Sequence, residues 1–180
     1  KLTDTISLEV LPFPPPMTPG RLQEIKRQGI PITMLTAYTE EDARLLETAG
    51  IDVALVGDSY GPVRLGYDST RDVTMEQMLT ATRDAARGNR AALLIGDMPK
   101  GSYETPNQAV ENARRFIEAG ARAVKLEGGE DKAPIVRAVV RAGIPVMGHI
   151  GHLPQTAEGQ KVTGRTGDEV LTLTEDAIAL

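Results

Sequence analysis

Along this chain an apolar run repeatedly stops at a polar or charged residue, usually with a glycine beside it, and no other feature limits the fold so strongly. Val53-Ala54-Leu55-Val56 runs into Gly57-Asp58-Ser59, and Leu93-Leu94-Ile95 into Gly96-Asp97. Ala123-Val124-Lys125-Leu126-Glu127 and Pro145-Val146-Met147-Gly148-His149 repeat the event. Short apolar runs of this kind mark strands buried on both faces, as in a parallel sheet. Four strand ends that each carry a candidate ligand point to one shared site.

The intervening segments have helical spacing. The pattern predicts strands over 32–35, 52–56, 91–95, 123–126 and 145–147, and helices over 40–49, 74–87, 106–119, 132–142 and 167–180. Before them, Thr18 and Pro19 read as the start of a short helix ended by Gly29. Ala49-Gly50-Ile51, Ala119-Gly120-Ala121 and Ala142-Gly143-Ile144 form a repeated device for ending a helix and turning into a strand. The connection from Gly57 to Asp72 is long for a βα loop and therefore reads as functional. Residues 1–16 close on Leu11-Pro12-Phe13-Pro14-Pro15-Pro16 and are expected to be a tail or lid, leaving 17–180 as one domain.

Strict alternation allows an open doubly wound sheet or a closed barrel. An open sheet would spread four successive strand ends along roughly 15 Å of edge, whereas a barrel curls them around one mouth. The polar strand ends favour the barrel. Eight-stranded barrels need about 250 residues, and the chain has 180. No G-x-G-x-x-G follows the first strand and no G-x-x-x-x-G-K-[ST] occurs, so a dinucleotide or P-loop reading fails.

A net charge of −5 without a long basic run argues against a nucleic-acid partner. The absence of cysteine removes disulfides, thiolate metal sites and cysteine nucleophiles. No apolar stretch reaches membrane-spanning length, so no membrane partner and a cytoplasmic location are expected.

Asp58 and Asp97 stand in matching positions, each after a glycine. Either aspartate alone reads as a turn residue, but two carboxylates facing one cavity, with Glu127 at the next strand end, would share a proton or bind a hard cation. Oxygen ligands without cysteine or clustered histidine point to Mg²⁺ rather than zinc. Lys125 lies two residues before Glu127 and so faces the same way. It fits either a structural salt bridge or a contact to a substrate carboxylate. His149 is a candidate hydrogen-bonding site residue, while His152 reads as incidental. Ser59 fits anchoring of a substrate carboxylate better than nucleophilic attack, since no G-x-S-x-G elbow is present. Arg64, Lys161 and Arg165 read as solvated loop cations.

These residues sit in a longer set of motifs: Met34-Leu35-Thr36-Ala37-Tyr38, Leu65-Gly66-Tyr67-Asp68-Ser69-Thr70, Asp97-Met98-Pro99, Gly101-Ser102-Tyr103, Lys125-Leu126-Glu127-Gly128-Gly129 and Gly148-His149-Ile150-Gly151. Taken in order from about residue 18, the chain resembles the ketopantoate hydroxymethyltransferase (3-methyl-2-oxobutanoate hydroxymethyltransferase) family. The resemblance implies a (β/α)₈ TIM barrel of the phosphoenolpyruvate/pyruvate superfamily, of which about the first five β/α units are present here. It implies Mg²⁺ on Asp58 and Asp97 with Glu127 supporting its water shell, and Ser59, Asp97, Lys125 and His149 around a 2-oxo acid. The implied reaction carries a hydroxymethyl group from 5,10-methylenetetrahydrofolate to 3-methyl-2-oxobutanoate, and the implied assembly is a homo-oligomer, usually a decamer.

The chain departs from the family at Thr39, Ala81 and Lys100, and in a shorter loop over 155–161, which puts substrate identity in question. The family's general base, a glutamate at the end of the sixth strand, is expected after Leu180, together with strands six to eight. A Mg²⁺-dependent lyase or mutase acting on another 2-oxo acid, and a degenerate scaffold without turnover, are the competing expectations.

Overall fold

The computed structural model describes residues 15–157, 159 and 162–180. The proline-rich tail expected over 1–16 therefore lies, apart from Pro15 and Pro16, outside the described residues, as does Lys161. Helix α1 spans Pro19–Arg27, followed by β1 Met34–Thr36, α2 Glu40–Ala49 and β2 Val53–Val56. A π-helical turn, Gly61–Leu65, and a 3-10 turn, Thr70–Asp72, fill the long connection to α3, Met75–Gly88. Next come β3 Leu93–Asp97, α4 Pro106–Glu118, β4 Ala123–Glu127, α5 Ala133–Arg141, β5 Val146–His149 and α6 Gly167–Ala179. The five strands among the described residues are all parallel, in the order β1-β2-β3-β4-β5. No described helix is long and apolar enough to cross a membrane.

The helix ends follow the sequence closely. Threonine caps α1, α2, α3, α4 and α6, each accepting a backbone N–H from the first turn. The Ala-Gly steps end α2, α4 and α5 with glycine at positive φ (69°, 105° and 84°). In each, the residue after glycine donates to the carbonyl five residues back, Ile51 to Leu46, Ala121 to Phe116 and Ile144 to Val139.

Strand alternation divides the core in two. Ala54, Val56, Leu94, Val124 and Leu126 face the helices and form the larger cluster with residues such as Leu79 and Phe116. Val53, Leu93, Ile95 and Ala123 face the other way, with Leu55 and Met147 packed against them. Met17 and Leu22, at the start of α1, cover this inner cluster from the N-terminal side, and the Met17 N–H donates to the Ala91 carbonyl at 2.6 Å. The inner face is therefore apolar at the start of the strands, and its polar groups are confined to their ends.

Four strands begin later than expected: β1 at Met34, β2 at Val53, β3 at Leu93 and β5 at Val146. Strand limits are set by where neighbours can pair, and β2 opposes β3 only from Val53 and Leu93 onward. Gly96 is not a strand-ending turn either, because it lies inside β3. A Cβ there would come 2.3 Å from the Phe116 ring, so glycine is needed for α4 to sit on the sheet.

This contact gives a stability prediction. Gly96→Ala should cost about 1–3 kcal/mol by overpacking, and Phe116→Ala about 3–5 kcal/mol by cavity formation, both read from urea unfolding midpoints. Combining Gly96→Ala with Phe116→Leu should cost less than the sum of the single changes. Full additivity would contradict the proposed contact.

Candidate functional site

Register assembles the site. Asp97 pairs with Lys125 across β3 and β4, Lys125 with Met147, and Glu127 with His149 across β4 and β5. Because alternate residues share a face, Asp97, Lys125, Glu127 and His149 stand on the same side as the inner apolar cluster, one or two layers above it. Asp58 lies just past the end of β2, and its backbone N–H donates to Asp97 Oδ2 at 3.2 Å. Gly57 keeps this corner open, since a Cβ there would approach Ser59 Oγ to 2.9 Å.

Lys125 Nζ contacts Asp97 Oδ1 and Oδ2 at 2.9 and 2.8 Å and lies 3.6 Å from Glu127 Oε1. His149 Nδ1 is 3.1 Å from the same Glu127 oxygen. Asp58, Asp97 and Glu127 are all buried, so three carboxylates share one lysine, a surplus of two negative charges when all are ionised and His149 is neutral.

The protonation equilibria report this shortage. Burial pushes the Asp97 carboxyl up to about 6 against the pull of Lys125, and the Asp58 charge adds to the rise. Burial also raises Asp58, despite the Gln155 hydrogen bond and the Lys125 charge. Burial alone would lower Lys125, but Asp97, Glu127 and Asp58 outweigh it and hold the ammonium above its ordinary range. The Asp97–Lys125 pair thus favours the lysine's charged form more than the aspartate's. The lysine gains from three carboxylates, and each carboxylate has only a share of the lysine. Burial works against the Glu127 charge as well, but the His149 ring, the Gln155 N–H and Lys125 together lower its pKa.

Asp58, Asp97, Lys125, Glu127 and His149 are thus brought together as the sequence suggested, while His152 and Arg165 lie in the segment after β5. Ser59 joins through its hydroxyl, 2.8 Å from Tyr38 Oη. Arg64 is no free loop cation: it bonds both Asp42 oxygens at 2.9 Å, with its guanidinium 5.8 Å from the Tyr38 ring centre. Two of the departures have structural roles. Thr39 is the N-cap of α2 in a capping box with Asp42, and Ala81 is buried in the larger core cluster. Lys100 is exposed in the loop after β3.

Sequence reading missed Gln155 and Tyr103. Gln155 Nε2 donates to Asp58 Oδ2 at 3.0 Å, and its backbone N–H to Glu127 Oε2 at 3.1 Å. Tyr103 donates its hydroxyl hydrogen to Gln155 Oε1 at 2.5 Å. The Gly-Ser-Tyr motif marks Tyr103 as a feature of the loop, whereas Gln155 stands out in the sequence only as the start of the shorter loop over 155–161.

The donor set suits a hard cation. Among the described residues no three His, Cys, Asp or Glu side chains converge as a self-sufficient metal cluster. Mg²⁺, however, is commonly held by one or two carboxylates, with water and ligand oxygens completing its shell. Adjoining buried carboxylates with too little positive charge, such as Asp58 and Asp97, meet that requirement. Both Asp97 oxygens face Lys125, so a cation there has to compete with the ammonium.

Comparison with solved structures agrees with the barrel architecture. A 2,3-dimethylmalate lyase described as a PEP mutase/isocitrate lyase superfamily member matches with a TM-score of 0.60 at 16% identity, over 89% of this chain and 60% of that one. Phosphoenolpyruvate phosphomutase from Streptomyces platensis subsp. rosaceus matches with a TM-score of 0.59 at 19% identity, over 72% and 52%. The fold is that of the first five β/α units of such a TIM barrel. Among curated relatives, 3-methyl-2-oxobutanoate hydroxymethyltransferase of Ignicoccus hospitalis is 50% identical over 86% of this chain and 60% of its own length. The enzyme of that name from Clostridium botulinum is 52% identical over 89% and 60%. The chain therefore spans about 60% of the length of the curated relatives it matches. The sequence profile of ketopantoate hydroxymethyltransferase matches residues 16–180, and the chain belongs to that family.

Proposed function

We propose that this chain forms the substrate-holding part of a 3-methyl-2-oxobutanoate hydroxymethyltransferase. Its reaction would join C3 of the oxo acid to the one-carbon unit of 5,10-methylenetetrahydrofolate, with water supplying the new hydroxyl and tetrahydrofolate leaving. The observation that carries the reading is the surplus of buried carboxylate charge at the strand ends, in a chain about half identical to enzymes of that name.

In this reading Asp58 and Asp97 would hold Mg²⁺, and Glu127 would support its water shell. Bound there, the ion would supply Lewis acidity to the keto oxygen and stabilise the enolate left when the C3 proton departs. Lys125 would move part of its charge from Asp97 to the substrate carboxylate. Ser59, held by Tyr38, would donate a second hydrogen bond to that carboxylate. His149, fixed through Nδ1 by Glu127, would line the pocket without competing for the metal. The C3 proton would go to the glutamate expected beyond Leu180. Further strands, for which the relatives have the length, would pair with the β1 and β5 edges and cover the exposed Ile32, Leu35, Leu171 and Ile178. Assembly into a homo-oligomer and a cytoplasmic location belong to the same proposal.

The test is deuterium exchange at C3 of 3-methyl-2-oxobutanoate in D₂O, followed by proton NMR on the full-length protein. Exchange should require Mg²⁺ and stop on chelation, and the folate should yield 2-dehydropantoate. A folded, Mg²⁺-loaded protein without exchange would contradict the proposal. Exchange without folate-dependent product would favour a lyase or mutase acting on another 2-oxo acid.

Lys125 allows a second prediction. At saturating Mg²⁺, Lys125→Met should raise KM for the oxo acid at least about 30-fold, the equivalent of about 2 kcal/mol. A loss of thermal stability with KM unchanged would mean that the lysine is only a structural partner of Asp97.

A further inference from the structure

Gln155 is one of the most deeply buried polar residues described, 1% exposed, yet it comes from an irregular loop after β5. Every polar atom of its side chain is used. Nε2 donates to Asp58 Oδ2 and to the Met98 carbonyl, both at 3.0 Å, and Oε1 accepts from Tyr103. The amide orientation is dictated by its neighbours. The Met98 carbonyl can only accept a hydrogen bond, and so can an ionised Asp58, so the edge facing them has to be the NH₂ group. The Tyr103 hydroxyl already accepts the Glu127 N–H at 3.3 Å, which leaves its hydrogen for Oε1. Burial and the surrounding negative charges hold the Tyr103 phenol well above its ordinary range, so that hydrogen stays in place.

The loop itself is held by the long connection between β2 and α3. Arg71, in the 3-10 turn after β2, donates Nε to the Pro154 carbonyl at 3.2 Å and Nη2 to the Ala157 carbonyl. The Ala157 N–H closes a turn onto the Leu153 carbonyl at 2.8 Å. Gln155 is thereby fixed through the backbone on both sides and reaches two of the three carboxylates, Asp58 with its side chain and Glu127 with its main chain.

We propose that Gln155 is a positioning residue for cation binding, pinning Asp58 Oδ2 with a neutral donor; this rests on the metal reading of Asp58 and Asp97 above. The residue type follows from the charge shortage. Lysine or arginine could donate to Asp58, but either would supply the positive charge that the carboxylate pair has to obtain from a cation. Glutamate would add a further negative charge facing two acceptors. Methionine would fill the space and leave the Met98 carbonyl, the Tyr103 hydroxyl and Asp58 without their partner. A primary amide orients Asp58 and leaves its charge intact.

The experiment uses Mn²⁺ alone as the probe, binding to the full-length protein and read by electron paramagnetic resonance of the bound ion. Gln155→Met should weaken Mn²⁺ binding by at least about tenfold, the range seen when an outer partner of a metal ligand is lost, and should change the bound-ion spectrum. Tyr103→Phe keeps the amide and removes only the hydroxyl that orients it, so it should give a smaller shift in the same direction. It also serves as the test if Gln155→Met does not fold, as judged by circular dichroism. Should the wild type bind no Mn²⁺, the metal reading falls and this inference with it. Wild-type binding with unchanged affinity and spectrum in the folded variants overturns the positioning role alone.

Discussion

The Lys125 ammonium is shared by more carboxylate charge than it can neutralise, and the strand ends are organised around that shortage. Asp97 takes both close contacts, Glu127 a longer one, and Asp58 reaches the group through its backbone N–H on Asp97. Charges removed from water are costly unless paired, so a cluster with this surplus of negative charge costs stability. The rise of Asp97 to about 6 reflects that cost. In the proposed function, Lys125 would pass part of its charge from Asp97 to the substrate carboxylate, and a cation held by Asp58 and Asp97 would supply the positive charge that the lysine cannot.

Such a cluster depends on the apolar structure beneath it. Val53, Leu93, Ile95 and Ala123 fill the inner face below the site, and Met17 and Leu22 cover that face at its far end. Two glycines act at the level of the site or beside it. Gly57 leaves the space next to Ser59 and Asp97 free, and Gly96 lets Phe116 lie against β3, fixing the strand that carries Asp97.

Much of this was legible in the sequence, for identifiable reasons. Alternation along Ala123-Val124-Lys125-Leu126-Glu127 is enough to place Lys125 and Glu127 on one face, and the repeated Ala-Gly steps predicted the helix ends. The starts of β1, β2, β3 and β5 were not legible because they depend on pairing with a neighbour. Gly96 resembled a turn because a glycine before an aspartate does not reveal a phenylalanine twenty residues later. Gln155 was the hardest case. It lies in a polar loop without periodicity, and its bond to Asp58 spans 97 positions, so only the folded chain shows that it belongs to the site. Thr39 illustrates the opposite error, a departure from the family pattern that a capping hydroxyl accounts for.

In the proposed function, buried negative charge on Asp58 and Asp97 would form a divalent cation site. Its most direct test is a calorimetric titration of the full-length protein with Mg²⁺ at neutral pH, alongside Asp58→Asn and Asp97→Asn, each of which keeps side-chain shape and removes one charge. Saturable binding to the wild type is expected, with a loss of at least about 100-fold in either variant, beyond the range for outer partners. Equal Mg²⁺ affinity in the wild type and both folded variants, or no binding to any of them, would contradict it.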